Sequence, residues 1–193
     1  GIPIIEPLKQ SLGGNQITKV SGIINGTTNY ILSRMDKEGV DYAEVLKDAQ
    51  ALGYAESDPA ADVEGSDAAD KIAILSGLAF GGAINRANIP TTGINLLEDI
   101  DVNYARKLGY GIKLLAISEK GETQSSREDS QPLSVWVEPT LVPEDNPLAG
   151  VNGVNNAILV EGNPIGQVMF FGPGAGSGPT ASAVVADILN IAG

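Results

Sequence analysis

The densest cluster of side chains able to do chemistry is Gly53-Tyr54-Ala55-Glu56-Ser57-Asp58-Pro59-Ala60-Ala61-Asp62-Val63-Glu64-Gly65-Ser66-Asp67-Ala68-Ala69-Asp70-Lys71, where six acids share the stretch with one lysine. Gly53, Pro59 and Gly65 impose special backbone geometry, so the carboxylates sit on a shaped turn suited to an ammonium group. Asp67 and Lys71 are four residues apart and share one face of a helix, with the acid first, which is the helpful orientation. Lys71 leads straight into the apolar run Ile72 to Leu75, and partial burial there would lower its pKa and ease release of its proton. The plain alternative is an acidic surface loop whose exposed pair adds only about a few tenths of a kcal/mol to a helix. Spacing alone leaves both open.

Two other segments have the composition of a ligand site. Gly172-Pro173-Gly174-Ala175-Gly176-Ser177-Gly178-Pro179-Thr180 is a glycine-rich loop between an apolar strand and an apolar helix, where backbone N–H groups can approach an anion. It lacks the spacing of a P-loop or a dinucleotide fingerprint, and a flexible turn is the competing reading. Gly22-Ile23-Ile24-Asn25-Gly26-Thr27-Thr28-Asn29-Tyr30 runs from a strand into a turn whose amides and hydroxyls can face a ligand, or whose threonines simply cap a helix.

The elements that must position these segments follow from periodicity. Ile17 to Ile24 reads as a strand, followed by a helix capped by Thr27 or Thr28 and closed by Gly39. Asp41 to Glu44 offers a capping box for a helix that ends at Gly53, and Ser66 to Phe80 reads as a helix capped by Ser66 or Asp67. A helix beginning at Asp99 or Asp101 closes at Gly109 before a strand over 111–118. Polar residues 119–131 read as an exposed, mobile connection. Leu133 to Glu138, Ala157 to Val160 and Ile165 to Phe171 read as strands, the last two a hairpin, and a closing helix spans about 179–193. Helices interleaved with strands predict an α+β (layered α/β) fold in a single domain over 1–193.

Composition narrows the chemistry. The chain has 193 residues, 24 acidic and 12 basic side chains and a net charge of −12, which disfavours nucleic acid and anionic membrane partners. Cys and His are absent, so an acid or base must be Lys, Asp, Glu or Tyr. With no signal-like start and no apolar run near ~18 residues, a cytoplasmic protein is expected. The opening Gly1-Ile2-Pro3-Ile4-Ile5 has no initiator Met, and an earlier start for the natural chain is the expectation.

Taken in order, Gly-Ile-Ile-Asn-Gly-Thr-Thr-Asn-Tyr-Ile-Leu, then Gly-Tyr-Ala-Glu-Ser-Asp-Pro with Asp-Val-Glu-Gly-Ser-Asp-Ala-Ala-Asp-Lys, then Gly-Pro-Gly-Ala-Gly-Ser-Gly-Pro-Thr-Ala, the chain resembles the homoserine dehydrogenases along nearly its whole length. The resemblance implies NAD- or NADP-dependent interconversion of L-homoserine and L-aspartate 4-semialdehyde. It also implies a mixed sheet packed against helices on one face, and a nucleotide-binding domain ahead of Gly1, toward which the closing helix would return. By resemblance Lys71 is the proton donor and Asp67 orients it. Glu56 and Asp62 bind the substrate, Tyr54, Gly26 and Thr27 line its pocket, and Gly176 touches the cofactor. A structural monovalent cation, usually sodium, is implied for the full-length enzyme, and Ile2 is the one position of that site within this chain. An upstream Lys that completes the family's site is not in this chain, so hydride transfer by residues 1–193 alone is not expected. The family pattern has a basic or neutral residue where Asp70 stands. A homodimer formed through the sheet is implied, with a silent amino-acid-binding module or a purely structural dimerisation unit as the alternatives.

Overall fold

Strand β1 (Gln16–Ile23) forms from the extended run holding Ile17, Val20 and Ile23, and it becomes the centre of a five-stranded sheet. The other strands are β2 (Tyr110–Lys120), β3 (Leu133–Pro143), β4 (Asn155–Asn163) and β5 (Gly166–Pro173), in the spatial order β3-β2-β1-β4-β5. The computed structural model describes residues 1–121 and 132–192. Of the connection expected over 119–131, Glu119 and Lys120 pair with Ser134 and Leu133 as the end of β2, and residues 122–131 lie outside the described residues.

Every strand pair is antiparallel. The mixed strand directions that the resemblance implies reduce to one parallel bridge, Thr91 to Val137. The physical reason lies in the connections: β2–β3 and β4–β5 are adjacent antiparallel pairs, and most of the helices fall in the single long excursion between β1 and β2. Among the described residues no neighbouring parallel strands are joined by a helix.

Side chains alternate across a strand, so Val20, Leu114, Ala116, Val137, Ile158 and Val160 share one face and join the main core. Ile23, Leu115, Ile117, Ala157 and Leu159 point the other way, into a second cluster covered by Leu148 and Val151. Helix residues join only the first of these clusters. The five α-helices between β1 and β2 therefore pack on one face of the sheet.

Helix α1 (Gly26–Glu38) begins at Asn25, whose side-chain oxygen accepts from Thr28 N at 2.9 Å. The cap is thus Asn25 rather than Thr27 or Thr28, because Asn25 keeps extended backbone while both threonines are already helical. Helix α2 (Tyr42–Ala51) buries Val45 and Ala49, and its N-cap Asp41 makes no side-chain capping bond, so the expected box does not close. The stretch read as loop contains one helical turn, α3 (Ala60–Val63), tied down where Ile94 N donates to Val63 O at 2.7 Å. Helix α4 (Ser66–Phe80) has the bounds expected from sequence and buries Ile72 and Leu75. Its N-cap is Gly65 at φ 86, a left-handed conformation that favours glycine, so neither Ser66 nor Asp67 caps it. Helix α5 (Asp99–Lys107) starts where Asp101 accepts from Glu98 N at 3.0 Å. Helix α6 (Ser177–Ala192) follows β5 and has no buried residue. Among the described residues no helix is long and apolar enough to cross a membrane.

Candidate active site

β1 and β5 both end beside the start of β4, with Ile23 paired to Ala157 and Pro173 to Asn155. The chain leaving β1 enters α1, and the chain leaving β5 enters the glycine loop before α6. Helices α3 and α4 carry the acidic stretch to the same edge of the sheet. A cavity of about 470 Å³ opens between them, lined by Asn25, Gly26, Thr27, Tyr54, Asp62, Asp67, Lys71, Asn156 and Gly176 among others. Seven of the positions singled out from sequence thus meet in one place: Gly26, Thr27, Tyr54, Asp62, Asp67, Lys71 and Gly176.

Lys71 Nζ donates to Asp67 Oδ2 at 2.6 Å and to Ile24 O at 3.1 Å. The i, i+4 spacing on α4 makes the first bond and the end of β1 supplies the second acceptor. The Lys71 and Asp67 side chains are 48% and 33% exposed, so the burial expected of Lys71 is not realised. Ile72 and Leu75 turn into the core, and the helical step of about 100° per residue leaves Lys71 at the cavity mouth. A pair this exposed adds about 0–1 kcal/mol to stability. Its consequence is geometric, since it holds an ammonium hydrogen toward the cavity.

Asn25 joins the second carboxylate to this pair. Its Nδ2 donates to Asp62 Oδ1 at 2.6 Å and to Asp67 Oδ2 at 3.0 Å. On the facing wall, Thr27 Oγ1 donates to Tyr54 O at 2.7 Å. The Tyr54 ring lies 5.0 Å from that of Tyr30, tilted by 57°, and the Tyr30 hydroxyl accepts from Arg34 Nη1 at 2.8 Å. Helix α1 thereby braces the exposed Tyr54 over the cavity.

A second, largely apolar cavity of about 210 Å³ adjoins the first and is lined by Ile2, Ile4, Ile24, Ile74, Leu75 and Ile158 among others. The two share Lys71, Asn156 and Gly174. A Cβ on Gly174 would fall 1.5 Å from Asn156 Oδ1, so the glycine loop lies against β4 as only glycine allows. Asn156 is 7% exposed, and its buried Nδ2 has no hydrogen-bond partner among the described residues.

Three positions stand apart. Glu56 is exposed and outside the cavity lining: Ala55 before it is buried, and the chain then turns the carboxylate to solvent while Gln50 Nε2 donates to Glu56 O at 3.0 Å. Ile2 lines the apolar cavity, and its carbonyl accepts from Ile4 N at 2.9 Å. Among the described residues no group of three or more His, Cys, Asp or Glu side chains could hold a metal ion. Asp70 points away from the site, accepting from Arg86 Nε at 2.7 Å.

Sequence reasoning passed over Asn25 and Asn156. Asn25 carried a usable signal, an Asn at the end of an apolar strand three residues before Thr28. Asn156 carried none, because only the pairing of β4 with β1 and β5 brings it to the site.

A sequence profile of the family described as homoserine dehydrogenase matches residues 3–189. The homoserine dehydrogenase of Synechocystis sp. is 60% identical over 193 residues, which are 100% of this chain and 44% of that protein. That of Neisseria gonorrhoeae is 49% identical over 100% of this chain and 42% of its own length. A crystal structure of a homoserine dehydrogenase from Thiobacillus denitrificans superposes with a TM-score of 0.92 at 48% identity, covering 98% of this chain and 42% of that one. A hyperthermophilic archaeal homoserine dehydrogenase mutant in complex with NADPH superposes with a TM-score of 0.78 at 33% identity, covering 97% and 51%. The chain spans less than half the length of the two curated relatives.

Proposed function

Because the chain belongs to the homoserine dehydrogenase family, we propose that it forms the substrate-binding, catalytic and dimerising domain, over 1–193, of an enzyme interconverting L-homoserine and L-aspartate 4-semialdehyde with NAD or NADP. The observation that carries this reading is Lys71, paired to Asp67 and set at the meeting point of a polar and an apolar cavity.

A nicotinamide cofactor, when bound, supplies hydride to the aldehyde carbon or takes it from the alcohol carbon. Lys71 Nζ gives a proton to the carbonyl oxygen as the hydroxyl forms, and takes it back in the reverse direction. Asp67 keeps that ammonium aimed at the cavity. Asp62 receives the substrate's ammonium group through a charge-assisted hydrogen bond, and Glu56, exposed at the turn outside the cavity, is the second carboxylate of that role. Gly26, Thr27 and Tyr54 form the wall against the carbon chain. On the cofactor side, the apolar cavity suits the face of a nicotinamide ring, and the unpartnered Asn156 Nδ2 suits its carboxamide oxygen. Gly176 in the adjoining loop leaves room for the rest of that group. For the monovalent cation, Ile2 O is the one oxygen this chain would contribute, and it keeps a second lone pair beside its bond from Ile4 N.

Two surfaces support the wider assembly. Met169 and Phe171 pair with Leu159 and Ala157 and so lie on the helix-free face of the sheet, where they are 39% and 56% exposed. That face is the one through which two copies would dimerise, and a monomer by light scattering at micromolar concentration would count against it. Val184, Val185, Ile188 and Leu189 of α6 are each more than half exposed, which suits a helix that docks on the nucleotide-binding domain. A cytoplasmic location accords with biosynthetic chemistry and with the net charge of −12.

The test is NADPH or NADH oxidation with aspartate semialdehyde by the full-length protein and by its Lys71→Ala variant. The expected result is a loss of roughly 10²- to 10⁴-fold with the fold intact. Full activity in the variant would move the proton donor elsewhere. An inactive wild-type protein with both cofactors would favour a binding module.

A further inference from the structure

Asn25 makes more hydrogen bonds than its place in the fold requires. It is the second residue beyond β1 and the N-cap of α1, and it is 5% exposed. Capping needs only an acceptor, and Oδ1 fills that role by accepting from Thr28 N at 2.9 Å and Thr28 Oγ1 at 3.0 Å. Aspartate or serine would cap as well. The two N–H groups of Nδ2 are a separate matter, since both are given to carboxylates from different helices, Asp62 at 2.6 Å and Asp67 at 3.0 Å. Only a neutral amide both caps the helix and donates twice.

Asp67 Oδ2 therefore receives Asn25 Nδ2 and Lys71 Nζ together, while Ile24 O, one residue before Asn25, accepts from the same Lys71 Nζ. Consecutive residues at one strand end grip the lysine and its counter-ion. Asn25 also brings a second anion, Asp62, to the same Nδ2 that meets Asp67, an approach that like charges resist unless a donor lies between them. We propose that Asn25 is a positioning residue of the reaction, fixing the Asp62 carboxylate at a set separation from the Asp67–Lys71 pair. It thereby holds the ammonium-binding group and the proton donor in one geometry. This rests on the roles given above to Lys71 and Asp62.

The experiment compares the full-length wild-type protein with Asn25→Asp and Asn25→Ser, using NADPH and aspartate semialdehyde across pH. Both variants keep a capping oxygen and remove the amide that donates to Asp62 and Asp67 together, and Asp adds an acid beside Lys71. The expected result for Asn25→Asp is a roughly tenfold or greater fall in kcat/KM, with the basic limb of the reduction profile moved up. For Asn25→Ser, kcat is expected to fall and KM to rise several-fold, with little change in the thermal midpoint. If wild type is active, Lys71→Ala is dead, and either folded Asn25 variant shows wild-type KM and pH profile, the positioning role is overturned while the assignment of Lys71 stands. If Lys71→Ala retains activity, the functional reading itself fails.

Discussion

Lys71 and Lys113 each donate to a main-chain carbonyl, Ile24 O at 3.1 Å and Val151 O at 2.5 Å. Each also donates to one side-chain oxygen, Asp67 Oδ2 at 2.6 Å and Asn152 Oδ1 at 3.2 Å. The two regions differ in the charge of that second acceptor and in access to water. The Lys71 side chain is 48% exposed and sits against the Asp67 carboxylate, to which Asn25 ties that of Asp62, whereas Lys113 is 4% exposed among neutral oxygens. Burial pushes the Lys113 ammonium down to about 8, with Asp36 opposing the shift and Lys37 adding to it. Around Lys113, Asn29 Nδ2 donates to Val151, Gly153 and Asn155 carbonyls, binding α1 to the loop ahead of β4. One lysine is set where a ligand can meet it. The other is a tie between elements, and residue type alone does not distinguish them.

The comparison breaks if the open cluster fails to govern the substrate, so after Lys71 itself the largest effect is expected at Asp62. Asp62→Asn keeps the shape of the side chain and removes the charge that would meet an ammonium group. KM for homoserine in the full-length protein is expected to rise roughly 10- to 100-fold, the worth of one charge-assisted hydrogen bond of about 1.5–3 kcal/mol, with a smaller change in kcat. Lys113→Met is expected to leave both constants within about twofold at pH 7. A kcat loss in Lys113→Met equal to the KM effect of Asp62→Asn would erase the distinction between the two regions.

The buried lysine is tested by stability against pH. Below about 8 it is protonated in both the folded and the unfolded chain. Between there and the ordinary Lys value of about 10.4 the unfolded chain binds more protons, so stability rises with pH across that window as the burial cost is relieved. The thermal midpoint, corrected for the other titrating groups by comparison with Lys113→Met, is expected to climb in wild type and stay flat in the variant. Parallel curves for the two proteins would mean that Lys113 takes up no such cost.

Much of the frame could be read from sequence, because periodicity reports burial directly: the bounds of α4 and the pairing of β4 with β5 follow from apolar spacing. Caps were less legible. Several polar residues near each helix start could serve, and the backbone conformation, extended at Asn25 and left-handed at Gly65, decided among them. The site was legible where its residues are close in sequence, as for Asp67 and Lys71. It was not where tertiary pairing assembles it, as for Asn156, or where a residue lies on an exposed turn anchored by one buried neighbour, as for Glu56 after Ala55. The resemblance supplied the chemistry, and the structure supplied the contact through Asn25 that joins two of its carboxylates.

The smallest effect is expected at Asp70, the residue beside Lys71 in the chain and the one departing from the family pattern. Adjacency along a helix places successive side chains about 100° apart. Asp70 accordingly meets Arg86 Nε at 2.7 Å, and Arg86 Nη2 also donates to Ser66 O at 3.4 Å, on the flank of α4 away from the cavity. The Asp70 side chain is 65% exposed, so Asp70→Ala should cost about 0–1 kcal/mol in chemical unfolding. It should leave kcat, KM and their pH profiles unchanged. A several-fold fall in kcat for Asp70→Ala would show that its charge reaches Lys71 through solvent, and that the open lysine answers to more anions than the two bound to Asn25.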